Sequence, residues 1–140
     1  MNRSLISKAG SVVQQLSGQS RYRVHVHECS HFLDVLRYSA VESLSQPWRY
    51  DVVVTSSSAD IACDALLLKP ASFTFQVPMS DGTPALQIRT VFGVVESFRR
   101  VSASNDETRY ALTIVPRIAL LNYTKGSEIY LNQSVTEVVE

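Results

Sequence analysis

The sequence has few of the residues on which disulfide-bonded or metal-stabilised small proteins depend. Its two cysteines, Cys29 and Cys63, are far apart and fit neither a CxxC motif nor a disulfide-rich spacing. We expect both to be small thiols, buried or half-buried. Because a domain of 140 residues buries roughly two thirds of the surface that its unfolded chain exposes, the fold needs neither a disulfide nor a metal.

Net charge is also absent. Thirteen Lys and Arg residues balance thirteen Asp and Glu residues, so no positive field is available to attract a phosphate backbone. The sequence therefore predicts no nucleic-acid partner. Its 45% hydrophobic and 19% charged residues are typical of one folded globular domain rather than a disordered chain.

No hydrophobic run approaches the roughly twenty apolar residues of a membrane span. The N-terminal residues also lack the apolar centre of a cleaved secretory signal. Polar residues interrupt every run there: Ser4, Ser7, Lys8, Gln14, Gln15 and Ser17. We expect any export from the cell to proceed without a cleaved signal peptide.

Motifs for catalysis or phosphate binding are missing too. The five glycines form no P-loop and no GxGxxG pattern, and there is no GxSxG nucleophile elbow. Cys29 neighbours His27 and His31 only in sequence, without the approach from a second element that a Cys-His pair needs. Four carboxylates are spread over the chain and are expected to be solvated: Glu42, Asp51, Glu96 and Glu107. We therefore expect no catalytic residue, no cofactor and no small-molecule substrate, and the protein is predicted not to be an enzyme.

The sharpest local signal for chemistry is a run of alternating metal-ligand types. His25, His27, Cys29 and His31 would share one face of a continuous strand, and two histidines at i and i+2 can chelate one ion. Four such residues along one strand span too far to surround a single ion, and no second cluster completes the set. The favoured interpretation is a solvated polar strand face, and metal binding by His25 and His27 stays an open alternative.

Composition divides the chain into an N-terminal arm, residues 1–20, and a domain, residues 21–140. Apolar residues recur at helical spacing in the arm, from Leu5 to Leu16, with Gly18 where a helix would end. The arm is interpreted either as a short amphipathic helix or as a disordered leader.

After the arm, apolar and polar residues alternate with a period of two, which is typical of strands. The first half of the domain contains four predicted strands, around Tyr22–Val26, Asp34–Ala40, Trp48–Val54 and Phe73–Val77. The last of these has the pattern of a half-buried strand. Between the third and the fourth, Asp60–Leu68 predicts a compact helix, capped by Ser58 or Asp60 and ended by Pro70.

The second half begins with a long extended run, Leu86–Val101, in which Gly93 predicts a bulge or the sharp bend of a curling sheet. Arg99 and Arg100 fit a solvated edge or strand end. A further strand, Tyr110–Ile114, ends before Pro116. Most aromatic residues at strand spacing are assigned to the core: Trp48, Tyr50, Phe73, Phe75, Phe92 and Phe98.

The last residues predict a single helical turn at Ile118–Leu121, a short strand at Glu128–Leu131 and a helix start. Ser134–Glu137 has the capping-box spacing, yet the chain stops at Glu140, before one more turn is complete. We therefore expect the front piece of a longer protein, truncated at the start of a C-terminal helix. The predicted fold is mainly β: a single closed or partly open β-barrel of about six or seven strands with short helices.

Several segments carry a family resemblance in their order and spacing, over about residues 21–140. They are Glu42-Ser43-Leu44-Ser45 with Trp48–Val52, then Leu67–Ala71, Phe92-Gly93-Val94-Val95, Tyr110–Arg117, Leu120-Leu121, Ile129-Tyr130 and Ser134-Val135. Together they resemble the first barrel, at the N-terminus, of the VgrG spike proteins of bacterial type VI secretion, which are related to the hub of contractile phage tails.

The resemblance implies a phage-tail-hub-like fold and a structural role in a spike or baseplate hub, which joins the tube to a membrane-puncturing needle and helps deliver effectors. The implied partners are identical subunits, forming a trimer in the full-length protein, an Hcp-like hexameric tube ring and baseplate components. The implied location is the cytoplasm during assembly, followed by secretion through the type VI machine without a signal peptide. Since a second barrel and a needle are absent, the piece alone is expected to be monomeric or weakly associating.

Two alternatives come from other functional classes. A ligand-binding β-barrel module for an oligosaccharide or oligonucleotide would need a concave face with aromatic and basic side chains, and neutral charge and inward aromatic residues count against it. A metal site built on His25 and His27 is the third choice.

Overall fold

The computed structural model describes residues 20–79 and 83–123, which form one antiparallel sheet. Its six strands are β1 (Tyr22–Val26), β2 (Asp34–Ser43), β3 (Gln46–Ser56), β4 (Pro70–Val77), β5 (Leu86–Ala103) and β6 (Thr108–Val115). Over these residues the only helices are two 3₁₀ helices, Cys63–Ala65 and Arg117–Tyr123. The prediction of a mainly β fold with short helices is confirmed.

The strand order is β1-β4-β5-β6-β3-β2, so β1 and β2 are the edges of the sheet. No backbone ladder joins these two edges within the described part of the chain. They approach through side chains, because the Tyr22 ring of β1 lies 4.8 Å from the Tyr38 ring of β2. The sheet is therefore curled but not closed, and neither barrel closure nor a seventh strand is confirmed.

The core lies inside the curl, where the period-two pattern places it. Alternate residues of β3 and β6 are buried: Tyr50, Val52, Val54, Tyr110, Leu112 and Ile114. Phe73 of β4 is also fully buried, and its ring lies 5.3 Å from that of Tyr50. Full burial of such a side chain contributes about 1.5–3 kcal/mol relative to exposure, so these two rings anchor β4 against β3.

The aromatic prediction holds with one exception. Trp48, Phe75 and Phe98 are partly buried and pack against the core, as predicted. Phe92 is 75% exposed. Its neighbour Val91 takes the inward position opposite Phe73, and a strand turns consecutive side chains to opposite faces. The prediction that most of these aromatic residues belong to the core is confirmed, and Phe92 is the exception.

The long strand β5 serves two different neighbours. Its first half pairs with β4 as far as Val94, and its second half pairs with β6 from Val94 onward. Beyond Val95, no strand among the described residues pairs with the side of β5 that faces β4. Both Arg99 and Arg100 are exposed there. The prediction that this basic pair lies at a solvated edge is confirmed.

Gly93 has a different role from the one predicted. It pairs regularly with Ala71, and the nearby bulge in β5 falls between Val95 and Ser97. A Cβ atom at residue 93 would overlap the carbonyl oxygen of Val115 and would lie 2.6 Å from Cη2 of Trp48. Glycine is needed there because a ring and a backbone carbonyl fill the side-chain position.

The predicted helix Asp60–Leu68 is reduced to the 3₁₀ turn Cys63–Ala65. Its N-cap residue is Ala62, and no side chain caps it. The segment is held instead by burial of Ile61 and Leu66 and by the Tyr110 hydroxyl, which accepts a hydrogen bond of 3.2 Å from the Ile61 amide. Tertiary contacts therefore override the local helical pattern.

Strand β4 is buried on both faces rather than one. Phe73 faces the core as predicted, but Thr74 and Gln76 on the other face are 7% exposed each. Thr74 Oγ1 lies 3.0 Å from Thr90 Oγ1, and the Gln76 amide donates a hydrogen bond to the Ser20 carbonyl. The buried polar side chains of β4 are therefore satisfied by a side chain of β5 and by the backbone before β1.

Three predictions lie outside the described residues. They are the helix or leader in the N-terminal arm, the strand Glu128–Leu131 and the helix start at Ser134–Glu137. The predicted helical turn at Ile118–Leu121 is confirmed within the 3₁₀ helix Arg117–Tyr123.

Candidate interaction surface

The alternating His and Cys residues do not share one strand face, because β1 ends at Val26 and a turn follows. The His31 ring Nδ1 lies 2.9 Å from the Ser58 hydroxyl, whereas His27 Nε2 is 4.0 Å from the exposed Glu28 carboxylate. His25 is exposed on the outer face of β1. Over residues 20–79 and 83–123, no three His, Cys, Asp or Glu side chains converge as metal ligands.

The two cysteines are free and differ in exposure. Cys29 is partly buried, and its thiol donates to the His31 carbonyl at 3.7 Å. Cys63 is exposed, so the prediction of a buried or half-buried thiol was wrong for this residue. The short 3₁₀ turn places Leu66 in the core and leaves Cys63 on the solvent side.

Two of the dispersed carboxylates meet on the outer face of the sheet, the face opposite the core. Arg49 Nε lies 3.2 Å from both carboxylate oxygens of Asp51, and Arg49 Nη1 lies 2.7 Å from Glu96 Oε2. The Glu96 side chain is only 12% exposed, so the expectation that it is solvated was wrong. The bulge in β5 between Val95 and Ser97 gives Glu96 its position next to Arg49.

Hydroxyl groups extend this network across three strands. Thr113 Oγ1 donates to Asp51 Oδ1 at 2.7 Å, and Ser97 Oγ donates to Thr113 Oγ1 at 3.0 Å. The phenol of Tyr123 donates to Glu96 Oε1 at 3.0 Å, and this hydrogen bond raises the pKa of the Tyr123 phenol. The network therefore ties the 3₁₀ helix Arg117–Tyr123 to the outer face.

A second polar contact joins the buried Tyr50 to two solvent-exposed side chains. The Tyr50 phenol and Arg89 Nη2 both donate to Glu42 Oε1, the latter at 2.8 Å. These hydrogen bonds hold the pKa of the Glu42 carboxyl below its ordinary value. Burial, and then the hydrogen bond to Glu42, raise the pKa of Tyr50 to about 12. The contact links edge strand β2 to β5, which are not neighbours in the sheet.

Sequence reasoning missed the arginines that organise both contacts. Arg49 and Asp51 are two residues apart on a predicted strand, so they share a face, and that spacing was a usable signal. The pairing of Glu42 with Arg89 joins residues 47 positions apart, and nothing local in the sequence indicates it.

Unpaired strand edges and exposed apolar side chains are the features suited to docking. Among the described residues, eight of the ten residues of β2 pair, and only with β3, and all five residues of β1 pair only with β4. The hairpin between β2 and β3 carries Leu44, 96% exposed, at its tip. Other exposed apolar side chains lie on β5 and the second 3₁₀ helix: Ile88, Phe92, Ile118, Leu121 and Tyr123.

Two shallow depressions accompany these features. One, of about 370 Å³, follows the seam between β1 and the start of β2 and is lined by residues such as Val24, Leu33 and Pro84. The other, of about 500 Å³, lies on the outer face across β2, β3, β6 and β5. Neither gathers a catalytic arrangement of side chains among the described residues. Their shape suits an extended segment of a partner rather than an enclosed small molecule.

In the part of the chain that the structure describes, no helix has the length and apolar character needed to cross a membrane.

Among known families, the chain matches the model described as "Phage tail baseplate hub (GPD)" over residues 41–140. Among curated proteins, the chain is similar to the type VI secretion system spike proteins VgrG4b and VgrG5 of Pseudomonas aeruginosa, with 28% identity over 123 residues in each case. These alignments cover 88% of this chain and 14% of each relative. VgrG2b of the same organism is 31% identical over 107 residues, which is 76% of this chain and 10% of that protein.

Among solved structures, the chain is similar to the E. coli c3393 protein. That protein is described as a component of the type VI secretion system with structural similarity to the T4 bacteriophage tail proteins gp27 and gp5. The TM-score is 0.67 with 32% identity, and the match covers 84% of this chain and 30% of the other. This chain therefore spans a small part of the length of the relatives it matches.

Proposed function

Because the chain belongs to the phage tail baseplate hub (GPD) family, we propose that it is a structural part of a type VI secretion spike or baseplate hub. In this role it joins the tube to the membrane-puncturing needle and helps deliver effectors. The observation that carries the proposal is the alignment of 88% of the chain with spike proteins.

The surface chemistry supports a docking role. In the part of the chain that the structure describes, two strand edges have no further strand beside them, and the hairpin tip presents Leu44 to solvent. Backbone edges and apolar tips are the surfaces that subunits bury against one another in symmetric assemblies. We propose that the partners are identical subunits, as a trimer in the full-length protein, together with an Hcp-like hexameric tube ring and baseplate components.

The proposed mechanism is mechanical and non-enzymatic. The contacts transmit load, so they need broad, well-packed interfaces rather than a substrate pocket. Within the described residues, the perturbed tyrosines and carboxylates are held in structural hydrogen bonds, as in the Glu42–Tyr50 pair. These hydrogen bonds support the view that the tyrosines and carboxylates stabilise the fold rather than take part in a reaction.

We further propose how the piece fits into the whole. Residues 21–140 act as the first barrel of a longer spike, residues 1–20 form an arm before it, and later segments supply the second barrel and the needle. The protein assembles in the cytoplasm and leaves the cell through the type VI machine. The short coverage of the relatives, 14% of their length, supports this division.

The test is co-purification from cells. The intact protein that carries these residues is tagged and isolated from a strain that makes its own tube-ring subunit, and the co-eluting proteins are identified by mass spectrometry. We expect the tube-ring subunit to co-elute and the protein to sediment as a trimer. A monomeric protein that elutes alone would contradict the proposal.

A matched pair of variants makes the test specific. Leu44→Asp places a charge at the exposed hairpin tip without touching the core, and Leu67→Asp does the same in the loop before β4, where Leu67 is 40% exposed. We expect Leu44→Asp to weaken co-elution more than Leu67→Asp. If equal amounts of the tube-ring subunit co-elute with both variants, the hairpin tip is not part of the proposed interface.

A further inference from the structure

We call the depression on the outer face the outer trough. The residues on its floor lie in regular rows across the strands. The trough is lined by residues of four adjacent strands, β2, β3, β6 and β5. One transverse row runs across all four strands in register: Arg37, Val53, Ala111 and Arg99. The two inner positions of this row are small or half-buried apolar side chains, and both ends are exposed arginines.

The next row of the trough is polar and internally satisfied. It consists of Ser39, Asp51, Thr113 and Ser97 in the same register. Asp51 accepts hydrogen bonds from Thr113 and Arg49, and Arg49 also binds Glu96. The charge of Arg49 is therefore offset by two carboxylates, and this row offers no unbalanced positive charge.

Arg37 and Arg99 differ from Arg49 in this respect. No hydrogen bond or ion pair joins either side chain to another described residue, and both are exposed at the rim of the trough. Arg109, one row further along, is paired with Glu107 at 3.0 Å. The trough therefore carries two free guanidinium groups, one at each end of its apolar row.

The spacing of these two groups matches an extended peptide. Three strand-to-strand steps of about 4.8 Å place the two Cα atoms about 14 Å apart. In an extended chain, residues i and i+4 point to the same side and lie about 13 Å apart. A segment that crosses the strands can therefore bring one carboxylate to each arginine, with residue i+2 above Val53 and Ala111.

We propose that the outer trough binds an extended acidic segment of a partner protein, with carboxylates at i and i+4 paired to Arg37 and Arg99. Guanidinium groups bind carboxylates through two parallel hydrogen bonds, which gives geometric selectivity as well as charge attraction. The small Ala111 lets the peptide backbone approach the sheet. Nucleic acid fits less well, because the chain has no net positive charge to hold a run of phosphates.

The experiment measures fluorescence anisotropy of a labelled nine-residue peptide with glutamates at i and i+4 in a Gly/Ser background, titrated with the 140-residue protein. The trough variant is Arg37→Gln with Arg99→Gln. Its control is Arg23→Gln with Arg117→Gln, which removes the same charge from exposed sites outside the trough. We expect the trough variant to weaken binding about tenfold and the control less than about twofold.

Two further peptides test the geometry and the chemistry. A peptide with adjacent glutamates should bind several-fold more weakly, and a peptide with glutamines in place of the glutamates should not bind measurably. A charge-reversed protein, Arg37→Glu with Arg99→Glu, should instead take up the peptide with lysines at i and i+4. Circular dichroism on each variant verifies that the sheet is intact.

The proposal is overturned if the trough variant and the wild type bind the peptide equally, or if the glutamine peptide binds as well as the glutamate peptide. It is also overturned by two results together: inorganic polyphosphate displaces the peptide equally well from the wild type and the control variant, and the peptides with the two glutamate spacings bind with equal affinity. Both results would indicate unspecific attraction of anions. These measurements involve no tube or spike partner, so their outcome is independent of the proposed hub function.

Discussion

The indole ring of Trp48 lies where a side chain at Gly93 would have to be. A Cβ atom there would lie 2.6 Å from Trp48 Cη2 and would also overlap the Val115 carbonyl. Trp48 belongs to β3 and Gly93 to β5, with β6 between them in the sheet, so the indole crosses the end of β6. The ring and the carbonyl together leave room only for glycine at residue 93.

The first prediction follows from this contact. Gly93→Ala should lower the free energy of unfolding by about 1–3 kcal/mol, because the added methyl group forces the ring or the β6 carbonyl to move. Chemical denaturation monitored by circular dichroism measures the effect, since Trp48 is the only tryptophan of the sequence and one of the variants below removes it. Combining Gly93→Ala with Trp48→Ala should recover part of the loss, since the two residues are in contact and their effects are not additive. Strictly additive losses would show that the ring is not the obstacle.

The second prediction concerns alkaline pH. The pKa of Tyr50 is raised from 10.0 to about 12 in the folded protein, so the unfolded chain loses this proton first. The contribution of Tyr50 is complete below pH 10 and is lost as pH rises toward 12. Thermal unfolding at increasing pH should show wild-type stability falling in this window, and Tyr50→Phe should show a smaller fall. Tyr123→Phe removes an exposed phenol whose pKa is also raised, and it should reduce the fall less than Tyr50→Phe does.

The same contact predicts the acid behaviour. The pKa of Glu42 is lowered below 4.5, so its carboxylate stabilises the fold at neutral pH, and this contribution is lost as pH falls through the folded pKa. Glu42→Gln should therefore reduce the dependence of unfolding on pH below about 4.5. Equal pH dependence in wild type and variant would contradict a stabilising role for the Glu42 charge.

The third prediction concerns the seam between the sheet edges. Tyr38 contacts Tyr22 across the seam, and its ring also lies 5.0 Å from that of Phe73 in the core. Tyr38→Ala should cost about 2–4 kcal/mol, because it removes the ring that holds β2 over β1 and β4. Tyr38→Phe keeps the ring and should cost less than about 1 kcal/mol. Hydrogen exchange should show faster opening of β1 and β2 amides in the alanine variant, and unchanged exchange there would contradict this account.

The fourth prediction tests the hydroxyl network on the outer face. Thr113 is 5% exposed and bonds to Asp51, Ser97 and Arg49. Thr113→Val preserves its shape but removes every one of these bonds, so it should lower stability by about 1–2 kcal/mol. Thr113→Ser preserves the hydroxyl group and should lose less. Urea denaturation at low and high salt separates the hydroxyl contribution from the screened Arg49 ion pairs. If Thr113→Val is as stable as the wild type, the hydroxyl network does not stabilise the fold.

The strands were predictable where burial is one-sided. Alternation located β1, β3 and β6, because each turns one set of side chains to the core, as Tyr110, Leu112 and Ile114 do. It also located β4, but the prediction that this strand is half-buried failed, because neighbouring strands that the local sequence does not identify bury Thr74 and Gln76. The helix predicted from Asp60 to Leu68 failed because Ile61 and Leu66 are fixed by distant partners such as Tyr110.

The interaction surface was less predictable than the strands. The chemistry-bearing residue types, such as His25 and His27, were visible in sequence, but the end of β1 at Val26 separates them. The row of Arg37 and Arg99 depends on strand order and on two β-bulges, at Leu36 and Glu96, that shift the register. Neither the strand order nor the position of a bulge can be obtained from the period of hydrophobicity alone.

The divided pairing of β5 determines how this domain responds to force. Since β4 binds the first half of the strand and β6 the second, tension along β5 pulls its two ladders in shear, and many hydrogen bonds resist at once instead of breaking one by one. The two ladders meet at Val94, which pairs with Pro70 and Val115, so a pull on one half of β5 reaches the other half through this residue. A single continuous strand thus transmits tension across the domain.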